Sequence, residues 1–240
     1  MNSASVQKTF KSMVYTAEDC GGSPPLLHLQ HDSLKEISLQ SGEILAPGTL
    51  VNTNTIEDFK KQDKTQLLQR VANNIWKAIL SGEAEKNPQI LSSFLSFIYA
   101  DLKKYHYYYW FAFPAFLYPG YIELVSPIQT LEEKIKNGEL LSRIESALRS
   151  SALSLAFFTL VIEAKESVVK VLPLSSYQES LKNKGQDDVV WLGFSDPSSA
   201  PSHPGWPLRN LLTLAAVRWP ATRRHSVIAL REKVSSESCS

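Results

Sequence analysis

The sequence is short of the residues and patterns that most enzyme classes require. Only two cysteines occur in 240 residues, Cys20 and Cys239. They are too few for a disulfide framework or a four-ligand zinc site, neither has a general base nearby in sequence, and their scarcity suits a reducing, cytoplasmic setting. No glycine-rich loop of the P-loop or G-x-G-x-x-G type is present, so the backbone cradle that binds a nucleotide phosphate by those routes is missing. H-E-x-x-H and G-x-S-x-G are absent, and the five histidines, His28, His31, His106, His203 and His225, are scattered. His28 and His31 stand three apart, which in a strand puts them on opposite faces and argues against a metal pair. The adjacent carboxylates Glu132, Glu133 and Asp187, Asp188 lie in polar runs and read as solvated. Charge of one sign is lacking too. The 25 basic and 24 acidic residues leave a net charge of +1, without the broad positive field that phosphate-driven nucleic-acid binding needs. The apolar runs are too short or too interrupted to span a bilayer, and the opening residues have no apolar signal core.

What is there is a chain rich enough in apolar residues, 43%, to build a substantial core. Residues 1–23 read as a disordered or atypical lead-in, since EDCGGSPP (residues 18–25) gathers glycine and proline ahead of the first alternating segment; LLHLQH (residues 26–31) then alternates as a strand with Leu27 and Leu29 inward. The clearest helix begins after Asp63, where DKTQ pairs an N-cap aspartate with a glutamine three residues on. Leu67, Leu68, Val71, Ala72, Ile75, Trp76, Ile79 and Leu80 lay an apolar stripe along it, and Gly82 stops it. Trp76 is expected to be a core residue. A second helix is expected after Pro88, burying Ile90, Leu91 and Phe94. The second half alternates: a helix over 139–150, strands in AFFTLVIEA and SVVKVLPL, a helix over 176–183, the strand DVVWLGFSD, the loop PSSAPSHPG, the helix WPLRNLLTLAAVRW and a last strand in HSVIALRE. The fold class predicted is α+β, mixed sheets with packed helices.

One stretch stands out. ADLKKYHYYYWFAFPAFLYPG holds nine aromatic side chains in twenty-one positions. It reads as a hairpin with strands over 95–100 and 105–113, turned by Asp101–Lys104 and ended by Pro114. With period two, Tyr105, Tyr107, Tyr109, Phe111 and Phe113 share one face, and His106, Tyr108, Trp110 and Ala112 the other. Both faces are aromatic, so one is expected on the core and the other against a helix or a partner. The weightier reading is a buried strand of a central sheet. The second is a docking strand using Lys103, Lys104, Tyr108 and Trp110. PGWPLRN likewise reads first as helix nucleation, with Gly205 permitting the turn and Pro207 presetting the backbone. Its alternative places Arg209 and Asn210 on the polar side of the first turn, toward a partner carboxylate or backbone.

ADLKKYHYYYWFAFPA resembles the N-terminal domain of the autophagy-related ubiquitin-like-modifier activating enzymes, the seventh autophagy-related protein family. LVNTNTIEDFKKQDKTQLLQRVANNIW, LGFSDPSS and HPGWPLRNLLTLAAVRW agree with it in the same order, and the resemblance runs from about Pro24 to Glu232. It implies a domain over 24–232 in the family's own α+β fold, dividing at about 24–128 and 129–232, followed by a disordered tail over 233–240. It further implies that this part makes no bonds. In the family, ATP and magnesium are bound by a C-terminal adenylation domain, which charges the eighth and twelfth autophagy-related proteins onto its catalytic cysteine. No catalytic, cofactor-binding or metal-binding residue is therefore expected here, and neither Cys20 nor Cys239 falls in a matching motif. The implied role is to recruit the conjugating enzymes, the third and tenth autophagy-related proteins, by an acidic or amphipathic segment laid in a groove. The implied location is cytoplasmic, with recruitment to the preautophagosomal structure. Homodimerisation is not expected without the C-terminal domain. The ending KVSSESCS suggests a truncated product, for which the alternative role is a stand-alone module competing with the full-length enzyme for its partners.

Overall fold

The computed structural model describes residues 6–15, 26–28 and 43–231, apart from 119, 121, 152–154, 166, 199 and 201–202. The chain divides into two compact units, the first running to Ala115 and the second starting at Phe116. Each is a mixed sheet with helices on it, an α+β arrangement.

In the first unit β1 (Val6–Tyr15), β2 (Leu26–His28), β3 (Glu43–Asn52), β4 (Phe94–Asp101) and β5 (His106–Ala112) form one sheet in the order β2-β1-β3-β4-β5. Within the lead-in over 1–23, expected to be disordered or atypical, the backbone of Val6–Tyr15 pairs along its whole length with β3. The strand expected over 26–31 is described only to His28, and Leu29 lies outside the described residues. All pairs are antiparallel except β3 with β4. A parallel pair needs a crossover connection. Here it carries α1 (Ile56–Lys61), α2 (Lys64–Ser81), α3 (Glu83–Lys86) and a 3-10 turn over Pro88–Ser92.

The capping chemistry of α2 is as the sequence predicts. The Asp63 carboxylate accepts the Gln66 N–H at 3.0 Å, and Gly82 closes the helix at φ 80°, a left-handed value that favours glycine. Leu67 and Val71 pack with Val51, Leu95 and Phe97 as one core cluster. The buried stripe is narrower than the pattern suggested, since Ile75 is fully buried while Trp76 is 36% exposed and Leu80 52%. Trp76 is thus not a core residue, because its position on the helix falls to one side of the face that meets the sheet. The helix expected after Pro88 is a single 3-10 turn. It buries Leu91 but ends at Ser92, leaving Phe94 to open β4 on the opposite sheet face, with Ala46, Leu50 and Phe113.

The second unit contains β6 (Phe157–Glu163), β7 (Val168–Pro173), β8 (Val189–Ser195) and β9 (Val227–Leu230) in the order β7-β6-β8-β9. Its single parallel pair, β8 with β9, is joined through α7 (Pro207–Arg218). Two further helices, α4 (Leu131–Lys134) and α5 (Gly138–Arg149), cover one face: Ile144 sits on Phe158, Leu160 and Ile162, with Leu140, Trp191 and Leu230 around them. On the other face α6 (Tyr177–Asn183) and α7 meet β8, with Tyr177, Leu211 and Leu214 buried. Gly193 lies opposite Phe158 in the ladder, and a Cβ there would stand 2.2 Å from the phenyl ring.

The narrower stripe orders two substitutions. Ile75→Ala removes a fully buried side chain and is expected to cost about 2–5 kcal/mol, whereas Trp76→Ala costs less. Urea unfolding followed by circular dichroism reads both, and a larger loss at Trp76 would restore the wider stripe.

Candidate docking surface

The aromatic strand is placed by its partner. Leu95, Phe97 and Tyr99 of β4 lie opposite Ala112, Trp110 and Tyr108 of β5, so these six side chains share the helix-facing side. There Phe59 of α1 stacks on Phe97 with ring centroids 4.6 Å apart and planes 1° from parallel. Tyr108 stacks on Tyr99 at 5.9 Å and tilts against Phe59 at 6.2 Å. Trp110 is partly buried against the Val51, Leu67 and Phe97 cluster. Lys64 Nζ lies 5.3 Å from the Phe59 ring centroid, a cation–π contact over the stack. Burial and the nearby Asp101 and Glu57 carboxylates raise the Tyr99 pKa, in that order of size.

The opposite face of β5 is open. Tyr107 is 65% exposed, Tyr109 67% and Phe111 38%, with Tyr109 and Phe111 tilted against each other at 5.5 Å. This corrects the weightier sequence reading: among the described residues β5 is the edge of its sheet, not a buried central strand. It also re-sorts the candidate residues. Trp110 and Tyr108 belong to the face that packs on the domain, although Tyr108 keeps 40% of its surface exposed. The outward aromatics are Tyr107, Tyr109 and Phe111, on the face opposite the one from which the sequence reading drew its docking candidates Tyr108 and Trp110. What would have found them is the side on which α1 and α2 pack, because a sheet covered on one face leaves the other to solvent.

The turn into β5 presents Lys103 and Lys104, both exposed. Asp101 Oδ1 accepts the Lys103 N–H at 3.1 Å and the Lys104 N–H at 3.2 Å, an Asx-type turn. Asp101 is thereby committed to the turn, and the two ammonium groups project from it. Tyr105 closes the loop at φ 55°, a left-handed value that costs a side chain bearing a Cβ roughly 1–2 kcal/mol.

The second candidate pair separates. Arg209 is exposed, but Asn210 is fully buried and its Oδ1 accepts the Phe116 N–H at 3.0 Å. Asn210 therefore ties the start of the second unit to α7 and does not face a partner. Gly205 is required by close approach: its N–H donates to Asp196 Oδ1 at 2.8 Å, and a Cβ would stand 2.5 Å from that oxygen. Asp196, whose side chain is wholly buried, also accepts the Ser198 N–H and pairs with Arg231 at 2.7 Å. Arg231 in turn donates to the Ala200 and His203 carbonyls. The polar residues of LGFSDPSS and HPGW thus knot the loop before α7 to the end of β9. Glu133 and Asp188 have comparable local tasks. Glu133 completes a capping box with Thr130, and Asp188 accepts the Ala164 and Gly185 N–H groups, which lowers its pKa.

The second unit has two further features. An open groove of about 420 Å³ runs between α4, α5 and the sheet, floored by Ile135, Leu140 and Trp191. On the other face Tyr177 Oη and His225 Nδ1 are hydrogen-bonded at 2.9 Å beside Trp219. Burial pushes the tyrosine up to about 12 and the imidazole below its ordinary 6.5. Among the described residues no group of three or more histidines, cysteines and carboxylates is placed to hold a metal ion, and no helix is long and apolar enough to cross a membrane.

A family model described as the ubiquitin-like modifier-activating enzyme ATG7 N-terminus matches residues 7–240. The chain belongs to that family. The match begins within β1, earlier than the Pro24 expected from the sequence blocks. Among curated relatives, human ATG7 is 36% identical over 231 residues, covering 94% of this chain and 32% of the human protein. Mouse ATG7 is 38% identical over 219 residues, covering 88% and 30%. The chain thus spans about a third of the length of the ATG7 proteins it matches. Among solved structures, the Kluyveromyces marxianus Atg7 N-terminal domain superposes with a TM-score of 0.62 at 21% identity, covering 95% of this chain and 74% of that one. The same domain in complex with Atg10 gives 0.63 at 20% identity, with the same coverages. These likenesses establish the ATG7 N-terminal fold for the chain.

Two stability measurements check this geometry. The folded His225 binds its proton more weakly than the unfolded imidazole, so the unfolded chain takes up more protons as pH falls below about 6.5. Stability from this site is complete above that pH and declines below it. The melting temperature is expected to drop between pH 7 and pH 5, with a shallower slope in His225→Phe; equal slopes would contradict the buried, neutral imidazole. Tyr105→Gly is expected to raise stability by about 1 kcal/mol, read by urea unfolding, and a destabilised variant would refute a strained turn.

Proposed function

We propose that this chain is the partner-recruiting part of an autophagy activating enzyme and makes no bonds itself. It holds conjugating enzymes in place to accept a ubiquitin-like modifier as a thioester. On this reading adenylation, with its ATP, magnesium and catalytic cysteine, belongs to a part of the protein beyond the matched N-terminal domain. The observation that carries the reading is the coincidence of ATG7 N-terminal membership with a free aromatic edge flanked by two lysines, at a strand whose other face is anchored in the core. The relative from Kluyveromyces marxianus, solved as a complex with Atg10, supports Atg10 as one partner. Atg3 is proposed as the second on the family resemblance alone. A cytoplasmic site of action, with recruitment to the preautophagosomal structure, and a monomeric state of this chain alone belong to the same proposal.

Calorimetric titration of the purified 240-residue chain with its cognate Atg10 and, separately, Atg3 tests it. Saturable one-to-one binding is expected for each. A folded chain that binds neither would contradict the recruiting role, and binding to Atg10 alone would remove Atg3 from it.

A further inference from the structure

The hydrogen-bond pattern of the first sheet decides which backbone groups of β5 are unpaired. The Thr53 N–H donates to the Ile98 carbonyl at 3.0 Å across the parallel β3–β4 pair. In a strand the N–H and C=O of one residue point to the same side, and successive residues alternate. Ile98 therefore turns toward β3, and Leu95, Phe97, Tyr99 and Asp101 turn toward β5. Their opposites, Ala112, Trp110, Tyr108 and His106, complete the β4–β5 ladder. Tyr107, Tyr109 and Phe111 are left directing both backbone groups outward from the sheet edge, and these are the three residues whose side chains lie on the open face. One set of alternate residues thus offers the main-chain template and the apolar contact together.

Resting on the recruiting role, we propose that the conjugating enzyme docks by adding an extended segment as a sixth strand beside β5, antiparallel to it. Main-chain hydrogen bonds to Tyr107, Tyr109 and Phe111 supply the recognition, as in strand addition generally. The segment's apolar side chains lie beside the three aromatic rings. Its C-terminal end carries acidic residues, which meet Lys103 and Lys104 at the turn. The charge argument favours an acidic segment over a second copy of this chain, whose antiparallel strand would set the uncharged end FPA (residues 113–115) against the two lysines and supply no acid there. From Leu102 to Ala112 the edge has two lysines and no acid, and Asp101 Oδ1 is occupied by the turn, so the positive end of the edge is matched by acid from a partner. The edge is short, seven residues, or about 23 Å at roughly 3.3 Å per residue, which fits one segment of similar length.

Amide exchange by NMR on the full chain, alone and with its cognate Atg10, tests this. In the free chain the Tyr108 and Trp110 amides are expected to exchange slowly and those of Tyr107, Tyr109 and Phe111 fast. On binding, the fast set should become protected. Tyr109→Pro removes one outward N–H without breaking the β4 ladder, since proline is tolerated where the N–H of an edge strand faces solvent. It should weaken binding at least tenfold with the melting temperature nearly unchanged. A Lys103→Glu, Lys104→Glu variant, which leaves the strand intact, should weaken it and flatten its salt dependence. Normal Atg10 binding by these variants, with Tyr107, Tyr109 and Phe111 still exchanging fast, would overturn strand addition while leaving recruitment standing. Protection that grows with concentration of the chain alone would overturn it in favour of self-association. Absence of any Atg10 binding by the parent chain would remove the recruiting role and this docking mode together.

Discussion

The Phe59–Phe97 stack is the contact on which the character of this surface depends. It joins α1 to β4 with nearly parallel rings, and Tyr99, Tyr108 and Trp110 collect around it. Because those side chains share one parity, packing them fixes the register of β5 against the domain. A slip of one residue would exchange the two faces. A strand aromatic on both sides is ambiguous as a sequence; stacked on one side, it has a defined inner and outer face. The outer face then gains its binding potential from something unrelated to aromaticity, the unpaired backbone of a sheet edge.

Edges of this kind are an aggregation hazard that proteins restrain with charge, short strands and bent turns. All three are present: β5 has seven residues, Lys103 and Lys104 stand at its start, and Tyr105 bends the entry at positive φ. The same features that discourage indiscriminate pairing would select a partner carrying acid at the matching end. The second unit offers a contrasting economy. The polar residues of its most recognisable segments, Asp196, Gly205 and Asn210, are absorbed in tying loops to helices and strands.

Much of the fold was legible because its signals are local. The Asp63 cap, the Gly82 stop, the Pro207 start and the alternating strands of the second half are set by neighbouring residues and survive folding unchanged. The misplacements share a different cause. Trp76 belongs to a stripe whose width is decided by the sheet beneath it. Phe94 was read into a helix because three-residue spacing cannot distinguish a 3-10 turn followed by a strand from one short helix. Asn210 looked like a surface polar residue at a helix start, and only the distant Phe116 N–H shows why it is buried. The candidate surface was half legible: Lys103, Lys104 and the two faces could be read, but which face was free depended on where α1 and α2 pack on the sheet, and the free backbone on β5 being the last described strand, both set by contacts over long sequence separations.

The claim that function resides on the outer face of β5 is met most directly by site-specific photo-crosslinking. A benzophenone side chain placed at position 109, and in separate proteins at positions 76 and 209, would be irradiated with the cognate Atg10. The account predicts a crosslink from position 109 and none from the other two. Crosslinking from position 209 or 76 with none from 109 would contradict it and move the docking surface off the aromatic edge.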